Sequence, residues 1–179
     1  MLADYLQAFC RVTIGLAFLV SATGKLRNIG AFEAAIADFE VLPRHWRRAA
    51  ALCIPGAELC IVLLVVTGGP LLVVGFAMAV ILLLAFSIAL VRVLRRNFSV
   101  TCNCFGPTAQ RVSTYDVIRN AILIDCGLLG IWTLLEPRQS LPGTEVILLA
   151  LMASCFVVLL IHLRDVIETL RRPFASLEE

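Results

Sequence analysis

The chain alternates between long apolar stretches and shorter polar segments. Five of the apolar stretches approach the length of about 20 residues that a helix needs to cross a hydrocarbon core of about 30 Å. The pattern therefore predicts membrane-spanning helices over residues 5–24, 49–67, 70–91, 116–135 and 146–163. Because the polar remainder is divided among short loops and the two ends, we expect a single integral membrane domain over residues 1–179. The predicted fold is an all-α polytopic transmembrane bundle of four core helices plus a fifth.

The amino-acid composition excludes a water-soluble globular domain. Hydrophobic residues make up 60% of the 179 residues and charged residues only 16%, whereas a soluble domain carries about 25% charged residues. The formal net charge is +2, and the basic residues flank the apolar stretches. They do not line a folded basic patch, which argues against nucleic acid as a partner. The lipid membrane is the partner that the composition predicts.

The basic residues predict how the chain is oriented in the membrane. Five spans place loops 25–48 and 92–115 and the C-terminal tail on one side, where they carry twelve Lys and Arg residues, while the other side carries only Arg138. Cytoplasmic loops are enriched in Lys and Arg. We therefore expect a multi-pass protein of the cell inner (plasma) membrane, with its N-terminus outside and its C-terminus cytoplasmic. Asp4, and the lack of a basic residue before Arg11, distinguish the first span from a cleavable signal peptide.

The loop between the first two spans contains a periodic apolar pattern. Four apolar side chains recur at helical spacing and predict one face of an amphipathic helix: Ile29, Phe32, Ile36 and Phe39. Such a helix can lie on the inner leaflet or pack against the bundle, and the sequence leaves both arrangements open.

Two short segments predict where helices end and begin. Thr67-Gly68-Gly69-Pro70 predicts a tight antiparallel hairpin between the second and third spans. Ser113-Thr114-Tyr115-Asp116 has the Ser-x-x-Asp form of a helix start, an acidic variant of the capping box, just before the fourth span.

The seven cysteines fall into two groups. Five lie inside apolar spans, where free cysteine behaves as a small hydrophobe: Cys10, Cys53, Cys60, Cys126 and Cys155. Cys53 and Cys60 share a helix face but lie about 10 Å apart along its axis, which excludes a disulfide between them. Cys102 and Cys104 differ from these five, because they lie in a polar loop that ends in a Gly-Pro turn.

Two thiols one residue apart can serve three chemical purposes. They can close a small, strained disulfide, exchange a disulfide with another protein, or bind a soft metal such as Cu(I) together with further thiols. A turn that merely contains two cysteines is the structural alternative. We take Cys102 and Cys104 as the candidate catalytic pair.

Four charged residues interrupt the apolar spans: Arg11, Glu58, Arg119 and Asp125. A charge at the bilayer centre costs about 3 kcal/mol on insertion scales, so it normally faces the bundle interior and is paired or functional. Glu58 and Asp125 lie near the middle of their spans, and the long side chain of Arg11 can reach towards either. A structural ion pair, a protonated carboxyl group, a proton relay or a quinone site would each account for Glu58 and Arg11. Arg119 is close enough to the inner face to act as an anchor.

Four short motifs are placed along the predicted spans and the loop between the third and fourth: Gly24-Lys25, Pro55-Gly56-Ala57-Glu58, Cys102-Asn103-Cys104-Phe105-Gly106 and Arg119-Asn120. In these motifs and their spacing the chain resembles the methylamine-utilisation protein MauE family, within the DoxX-like group of small membrane proteins. The resemblance implies a bundle of four or five helices. It also implies a role in maturation of the β subunit of methylamine dehydrogenase, in its processing, transport or disulfide formation. The implied partners are a thioredoxin-like (MauD-like) protein and an exported, disulfide-rich substrate protein.

The leading functional hypothesis is thiol–disulfide electron transfer at the membrane in support of an exported protein. Cys102 and Cys104 would exchange disulfides, and Glu58 and Arg11 would shape an interior in which a quinone accepts electrons. One conflict accompanies this hypothesis: the charge count places both cysteines on the cytoplasmic side, whereas the implied substrate matures in the periplasm.

Two alternative functions follow from the same residues. The protein could be a non-enzymatic membrane scaffold that docks a thioredoxin-like partner. It could also be a soft-metal transporter, with Cys53, Cys60 and Cys104 forming a thiol-lined conduit.

Overall fold

The computed structural model describes residues 2–38, 43–95, 113–136, 142–163, 165–167 and 169. These residues form helices and contain no strand, which confirms the predicted all-α class. The helices are α1 (Leu2–Arg27), α2 (Ile29–Asp38), α3 (Arg44–Thr67), α4 (Leu71–Arg95), α5 (Thr114–Trp132) and α6 (Gly143–Ile161). A 3₁₀ turn over Thr133–Leu135 extends α5.

Five of the helices are long and apolar enough to cross a membrane: α1, α3, α4, α5 with its 3₁₀ turn, and α6. They correspond to the five predicted spans. Several helices continue past the predicted ends, because their terminal turns carry polar residues that helix geometry accepts and an apolar pattern does not reveal. α3, for example, begins at Arg44 instead of residue 49, and α4 continues to Arg95 instead of ending at residue 91.

α1 occupies the centre of the bundle. It packs against α3, α5 and α6, while α4 packs between α3 and α5. The four helices α1, α3, α4 and α5 enclose the apolar core, whose largest members include Ile14, Phe18, Ile61, Phe76 and Leu123. α6 packs chiefly against α1 and is the peripheral fifth helix. The Tyr5 hydroxyl donates a hydrogen bond to the Glu145 carboxylate at the start of α6.

The amphipathic segment forms α2, as the pattern predicted. Phe32 and Ile36 are buried against Ala51 of α3, so the apolar face of this helix packs on the bundle. Phe39, the last residue of the predicted face, lies outside the described residues. Of the two arrangements that the sequence left open, packing against the bundle is the one present.

The predicted hairpin and helix start are both confirmed. Gly68 and Gly69 adopt φ angles of 72° and 62°, positive values that glycine adopts without steric cost, and α4 begins at Leu71, after Pro70. At the other turn, the backbone N–H of Ser113 donates to the Asp116 carboxylate at 3.0 Å, which satisfies a backbone donor at the start of α5.

The antiparallel order of the helices defines two ends of the bundle. At the first end, which we call the basic end, α1 ends at Arg27, α3 begins at Arg44, α4 ends at Arg95 and α5 begins at Thr114. At the opposite end, the hairpin end, α1 begins and Gly68-Gly69 joins α3 to α4. Residues 96–112, which contain the Cys-x-Cys motif, therefore join two helices at the basic end.

Candidate functional site

A buried ion pair joins the last turn of α1 to the middle of α3. Lys25 of α1 and Glu58 of α3 are each only 2% exposed, and the Lys25 Nζ atom is paired with Glu58 Oε1. Ser21 completes the group: its hydroxyl donates to Glu58 Oε1 at 2.9 Å and accepts from Lys25 Nζ at 2.9 Å. Ser21 and Lys25 lie on one face of α1 because residues four apart in a helix are neighbours.

Two aromatic rings surround the Lys25 ammonium. Its Nζ atom lies 5.2 Å from the ring centroid of Phe32 in α2 and 4.6 Å from that of Phe86 in α4. A desolvated cation over an aromatic face is stabilised by the ring quadrupole. Lys25 also lies in the last turn of α1, where a positive charge interacts favourably with the helix dipole. These contacts make a buried lysine tolerable at this position.

Arg119 and Asn120 of α5 lie beside the Lys25–Glu58 ion pair. Both are buried, and both line a cavity of about 30 Å³ that Glu58, Lys25 and Ser21 also line. Arg119 Nη2 lies 3.4 Å from the Asp116 carboxylate. The sequence predicted Arg119 as an anchor at the inner face, which is wrong: its side chain faces the bundle interior and is balanced by Asp116 one turn earlier.

The cavity beside Glu58 is polar on one side. Among the described residues, the buried Glu58 Oε2 atom has no hydrogen-bond partner, although Oε1 has two. A volume of about 30 Å³ is enough for one or two water molecules, which need polar partners of this kind. The carboxylate therefore keeps one oxygen available to a water or a proton.

Arg11 does not pair with Glu58, contrary to the expectation that it reaches towards that carboxylate. Its Nε and Nη2 atoms donate to the backbone carbonyls of Val65 and Val66, at 2.7 and 2.6 Å. The last carbonyls of a helix have no intrahelical partner, and a cation there also complements the helix dipole. Arg11 thus caps the C-terminus of α3 at the hairpin end, while Glu58 lies seven residues before Val65, about 10 Å further into the helix.

A larger groove lies beside Arg11 at the hairpin end. It has a volume of about 560 Å³, is bordered by α1, α3 and the start of α6, and combines many apolar side chains with Asp4, Gln7 and Arg11. This volume falls in the range of small-molecule sites, of roughly 300–1,000 Å³. The two predicted cofactor residues, Arg11 and Glu58, therefore line two separate cavities.

Asp125, the remaining charge within the spans, lies on the exposed face of α5. The expectation that mid-span charges face the bundle interior is wrong for this residue. The helix turns its small and apolar residues, among them Leu123, Cys126 and Gly127, towards the core, and this leaves Asp125 on the outer surface.

The cysteines within the spans divide by exposure. Cys10 and Cys126 are buried in the core, whereas Cys53, Cys60 and Cys155 are exposed on the outer surface. Within the part of the chain that the structure describes, no three His, Cys, Asp or Glu side chains come together as a metal site. The predicted catalytic residues Cys102 and Cys104 lie outside the described residues.

Three of the four sequence motifs converge on the buried cluster. Gly24-Lys25, the segment ending in Glu58, and Arg119-Asn120 come from three different helices and meet around one cavity. The fourth motif lies in the chain that joins α4 to α5. Asn120 follows Thr114 by six residues, so the cluster lies about 9 Å below the start of α5.

Lys25 is the residue of this site that sequence reasoning missed. It follows the first predicted span and was counted among the basic residues of the adjoining loop, although α1 extends to Arg27. Two signals were available: the Ser21–Lys25 spacing of four residues, and the position of Lys25 in a motif of the resembled family.

Comparisons with a family model and with a curated protein both identify similarity to MauE. A model of the family described as methylamine utilisation protein MauE matches residues 3–133, which covers α1 to α5 and every residue of the buried cluster. The chain is 38% identical, over 116 residues, to the methylamine utilization protein MauE of Paracoccus denitrificans. This alignment covers 63% of the chain and 61% of the relative, so the chain spans about three fifths of the length of the relative it matches. No solved structure matches. Since the family model matches well over half of the sequence, the chain belongs to the MauE family.

Proposed function

We propose that this multi-pass membrane protein takes part in methylamine utilisation by supporting the maturation of an exported thiol protein. The substrate class would be a disulfide-rich protein such as the β subunit of methylamine dehydrogenase, with a thioredoxin-like, MauD-like protein as partner. Cys102 and Cys104 would carry the chemistry. The observation that supports this proposal is the convergence of three motifs on a buried ionisable cluster below the two helix ends that the Cys-x-Cys segment joins.

The proposed reaction is thiol–disulfide exchange. A thiolate of the pair attacks a partner's disulfide sulfur and forms a mixed disulfide, which the second cysteine resolves. One disulfide is broken for each one formed, so exchange conserves electrons and needs no added oxidant. The partner leaves with two thiols and the pair keeps the disulfide, or the reverse.

The buried cluster would supply proton exchange close to this reaction. Thiols must lose a proton to become nucleophilic, and Glu58 keeps one carboxylate oxygen on a cavity that accommodates water. If electrons leave the pair for the membrane, a lipid-soluble quinone is the acceptor class that we propose. The groove beside Arg11 has a volume suited to a small molecule, but it lies at the hairpin end, opposite the end at which the Cys-x-Cys segment joins α4 to α5, so we do not propose it as the site of this acceptor.

A non-enzymatic scaffold remains the second candidate. The Lys25–Glu58 ion pair joins α1 to α3 with opposite charges in contact, which is what a structural lock between helices requires, and Arg119 is balanced by Asp116 within α5. The soft-metal transporter has weaker support, because Cys53 and Cys60 are exposed on the outer surface of α3 and do not border a passage through the bundle.

We expect a single cysteine replacement to trap the partner protein. With Cys102→Ser or Cys104→Ser the mixed disulfide cannot be resolved, so one of the two variants accumulates a reducible adduct with a thioredoxin-like protein, and the double variant forms none. Non-reducing gels followed by mass spectrometry of the adduct measure this. Cys155→Ala is the matched control, because this thiol lies on the outer surface of α6; it leaves maturation unchanged. Normal maturation by the double variant would rule out exchange and leave the scaffold.

The proposed orientation, with the N-terminus outside and the C-terminus in the cytoplasm, can be tested with the same cysteines. Burial of Lys25 removes one basic residue from the count and leaves the asymmetry between the two sides intact. In intact spheroplasts a membrane-impermeant maleimide is expected to label Cys102 and Cys104 only after the membrane is opened. Leu2→Cys in a Cys102→Ser/Cys104→Ser background is expected to label from outside, since Leu2 is exposed at the start of α1. The opposite pattern would invert the orientation and place the pair on the periplasmic side.

A further inference from the structure

Asp125 is a charged residue on the outer surface of the bundle at mid-membrane depth. It follows the start of α5 at Thr114 by eleven residues and precedes the end of the 3₁₀ turn at Leu135 by ten. At 1.5 Å per residue it lies about 15–17 Å from either end, close to the central plane of a hydrocarbon core of about 30 Å. Because its side chain is exposed, the carboxylate faces the hydrocarbon phase.

The Asp125 carboxylate forms no hydrogen bond or ion pair with another described residue. Long Lys and Arg side chains near a helix end can extend to the membrane surface, but an aspartate side chain in the middle of a span is too short to do so. Ionisable residues within a membrane normally pair with another group. The exposed carboxylate therefore indicates a group outside this chain that covers it.

Asp125 lies in the middle of a continuous exposed face of α5. The exposed residues recur at alternating spacings of three and four: Ile118, Ala121, Asp125, Leu128 and Trp132. One helix packs along another with this spacing, and α5 uses its other faces against α1 and α4. The small side chain of Ala121, one turn before Asp125, allows a neighbouring helix to approach closely. The α5 outer face, defined by these five residues, is thus a helix-packing surface with one carboxylate at its centre.

The charge of the α5 outer face decides which occupant fits it. A second copy of the chain, packed in the same orientation through the same face, would bring two Asp125 carboxylates together at one depth, and like charges repel. Among the described residues, Lys25 and Arg119 are buried and Arg11 binds the C-terminal carbonyls of α3. The other described Lys and Arg residues lie within five residues of a helix end. The complementary cation therefore comes from a different protein.

We propose that the α5 outer face binds a transmembrane helix of another protein, and that a Lys or Arg residue near the middle of that helix forms an ion pair with Asp125. An ion pair is much stronger in hydrocarbon than in water, so this one contact fixes the depth and the rotation of the bound helix. Ile118, Leu128 and Trp132 supply apolar contact on either side of it. The binding does not rest on the function proposed above.

A synthetic transmembrane peptide is the probe for this surface. It is a helix of about 20 Leu and Ala residues with one central Lys and a dansyl group at one end, and the matched peptide has Leu at the centre. Each is mixed in detergent micelles with the full chain carrying Trp46→Phe, which leaves Trp132 as the only tryptophan. We expect the chain to retain about ten times more of the Lys peptide than of the Leu peptide during size-exclusion chromatography, with energy transfer from Trp132 to the dansyl group.

Asp125→Leu is expected to lower retention of the Lys peptide to that of the Leu peptide. Because Asp125 is on the outer surface, this change leaves the core intact, and unfolding in detergent verifies that the variant is folded. Asp125→Leu/Leu151→Asp is the matched control, since it moves the carboxylate to the exposed surface of α6 near mid-span. The large exposed side chains of Ile147, Leu148 and Met152 surround the new position and hold a neighbouring helix away, so retention should stay low.

Three results would overturn the proposal. Equal retention of the two peptides, or retention that Asp125→Leu does not change, would show that the carboxylate binds no helix. Retention of the Lys peptide by the Leu151→Asp control at the level of the original chain would show that any carboxylate in hydrocarbon has the same effect. A dimer of the chain alone that Asp125→Leu dissociates, measured by sedimentation in detergent, would assign the α5 outer face to a second copy.

Discussion

Replacing Lys25 by Met is expected to destabilise the bundle more than removing the whole Lys25–Glu58 pair. The single variant leaves the Glu58 carboxylate buried at 2% exposure without its counter-ion, and breaking a buried pair in this way costs about 3–5 kcal/mol. Lys25→Met retains the length of the side chain, so lost packing contributes little. The double variant Lys25→Met/Glu58→Leu buries no charge and is expected to recover most of the loss. Unfolding in detergent measures the free energy of unfolding of the unmodified protein, the single variant and the double variant.

Arg11→Leu is the control for this comparison of single and double variants. It removes the donors to the Val65 and Val66 carbonyls and has no contact with Glu58, so its effect should add to that of Glu58→Leu without any rescue. If Arg11→Leu rescues Glu58→Leu, the arrangement of α1 against α3 is different from the one described. If the losses of Lys25→Met and Glu58→Leu simply add in the double variant, the two charges do not interact.

A functional readout separates the structural from the chemical role of Glu58. Glu58→Gln keeps an oxygen that accepts from Lys25 and Ser21 but cannot carry a proton at neutral pH. If the cluster only locks the helices, maturation should fall in proportion to the loss of folded protein. If Glu58 exchanges protons, maturation should fall much further than stability does.

The helical framework could be predicted from the sequence because a membrane span has a strong physical signature. About 20 apolar residues in a row have few other interpretations, and all five predicted spans coincide with helices. The ends were less well predicted. The first turn of α3, from Arg44, is polar and exposed, and backbone hydrogen bonding continues the helix there without any apolar pattern.

The partners of the buried charges could not be predicted, since a linear sequence does not say which helix faces meet. Glu58 and Arg11 both interrupt apolar spans, which suggested that they meet. The structure instead joins Glu58 to Lys25, because the last turn of α1 remains inside the bundle between α3 and the rings of Phe32 and Phe86. Arg11 satisfies backbone carbonyls, and no residue pattern indicates a backbone partner. The sequence contained two signals of the cluster: the family motifs, three of which meet there, and the spacing of four residues between Ser21 and Lys25.

Because α4 packs closely against α5, we expect a second large loss of stability when Gly130 is replaced by alanine. A Cβ atom at this position would lie 2.6 Å from Cζ of Phe76, whose ring is completely buried in the core. Gly130→Ala therefore forces either the ring or the helix to move. Overpacking a core in this way costs about 1–3 kcal/mol, and this exceeds the gain of about 1 kcal/mol that alanine brings to a helix over glycine. Unfolding in detergent is expected to show a net loss of stability.

Gly56→Ala is the matched control for this prediction. Gly56 also lies inside a helix, but a Cβ atom there would meet nothing within 4 Å, so only the helix-propensity gain applies and stability should be unchanged or slightly higher. Phe76→Leu should partly rescue Gly130→Ala, because the smaller side chain vacates the space that the new methyl group needs. A rescue would show that the contact between the two residues causes the loss. Equal effects of Gly130→Ala and Gly56→Ala, or no rescue by Phe76→Leu, would contradict the close approach of α4 and α5 at this point.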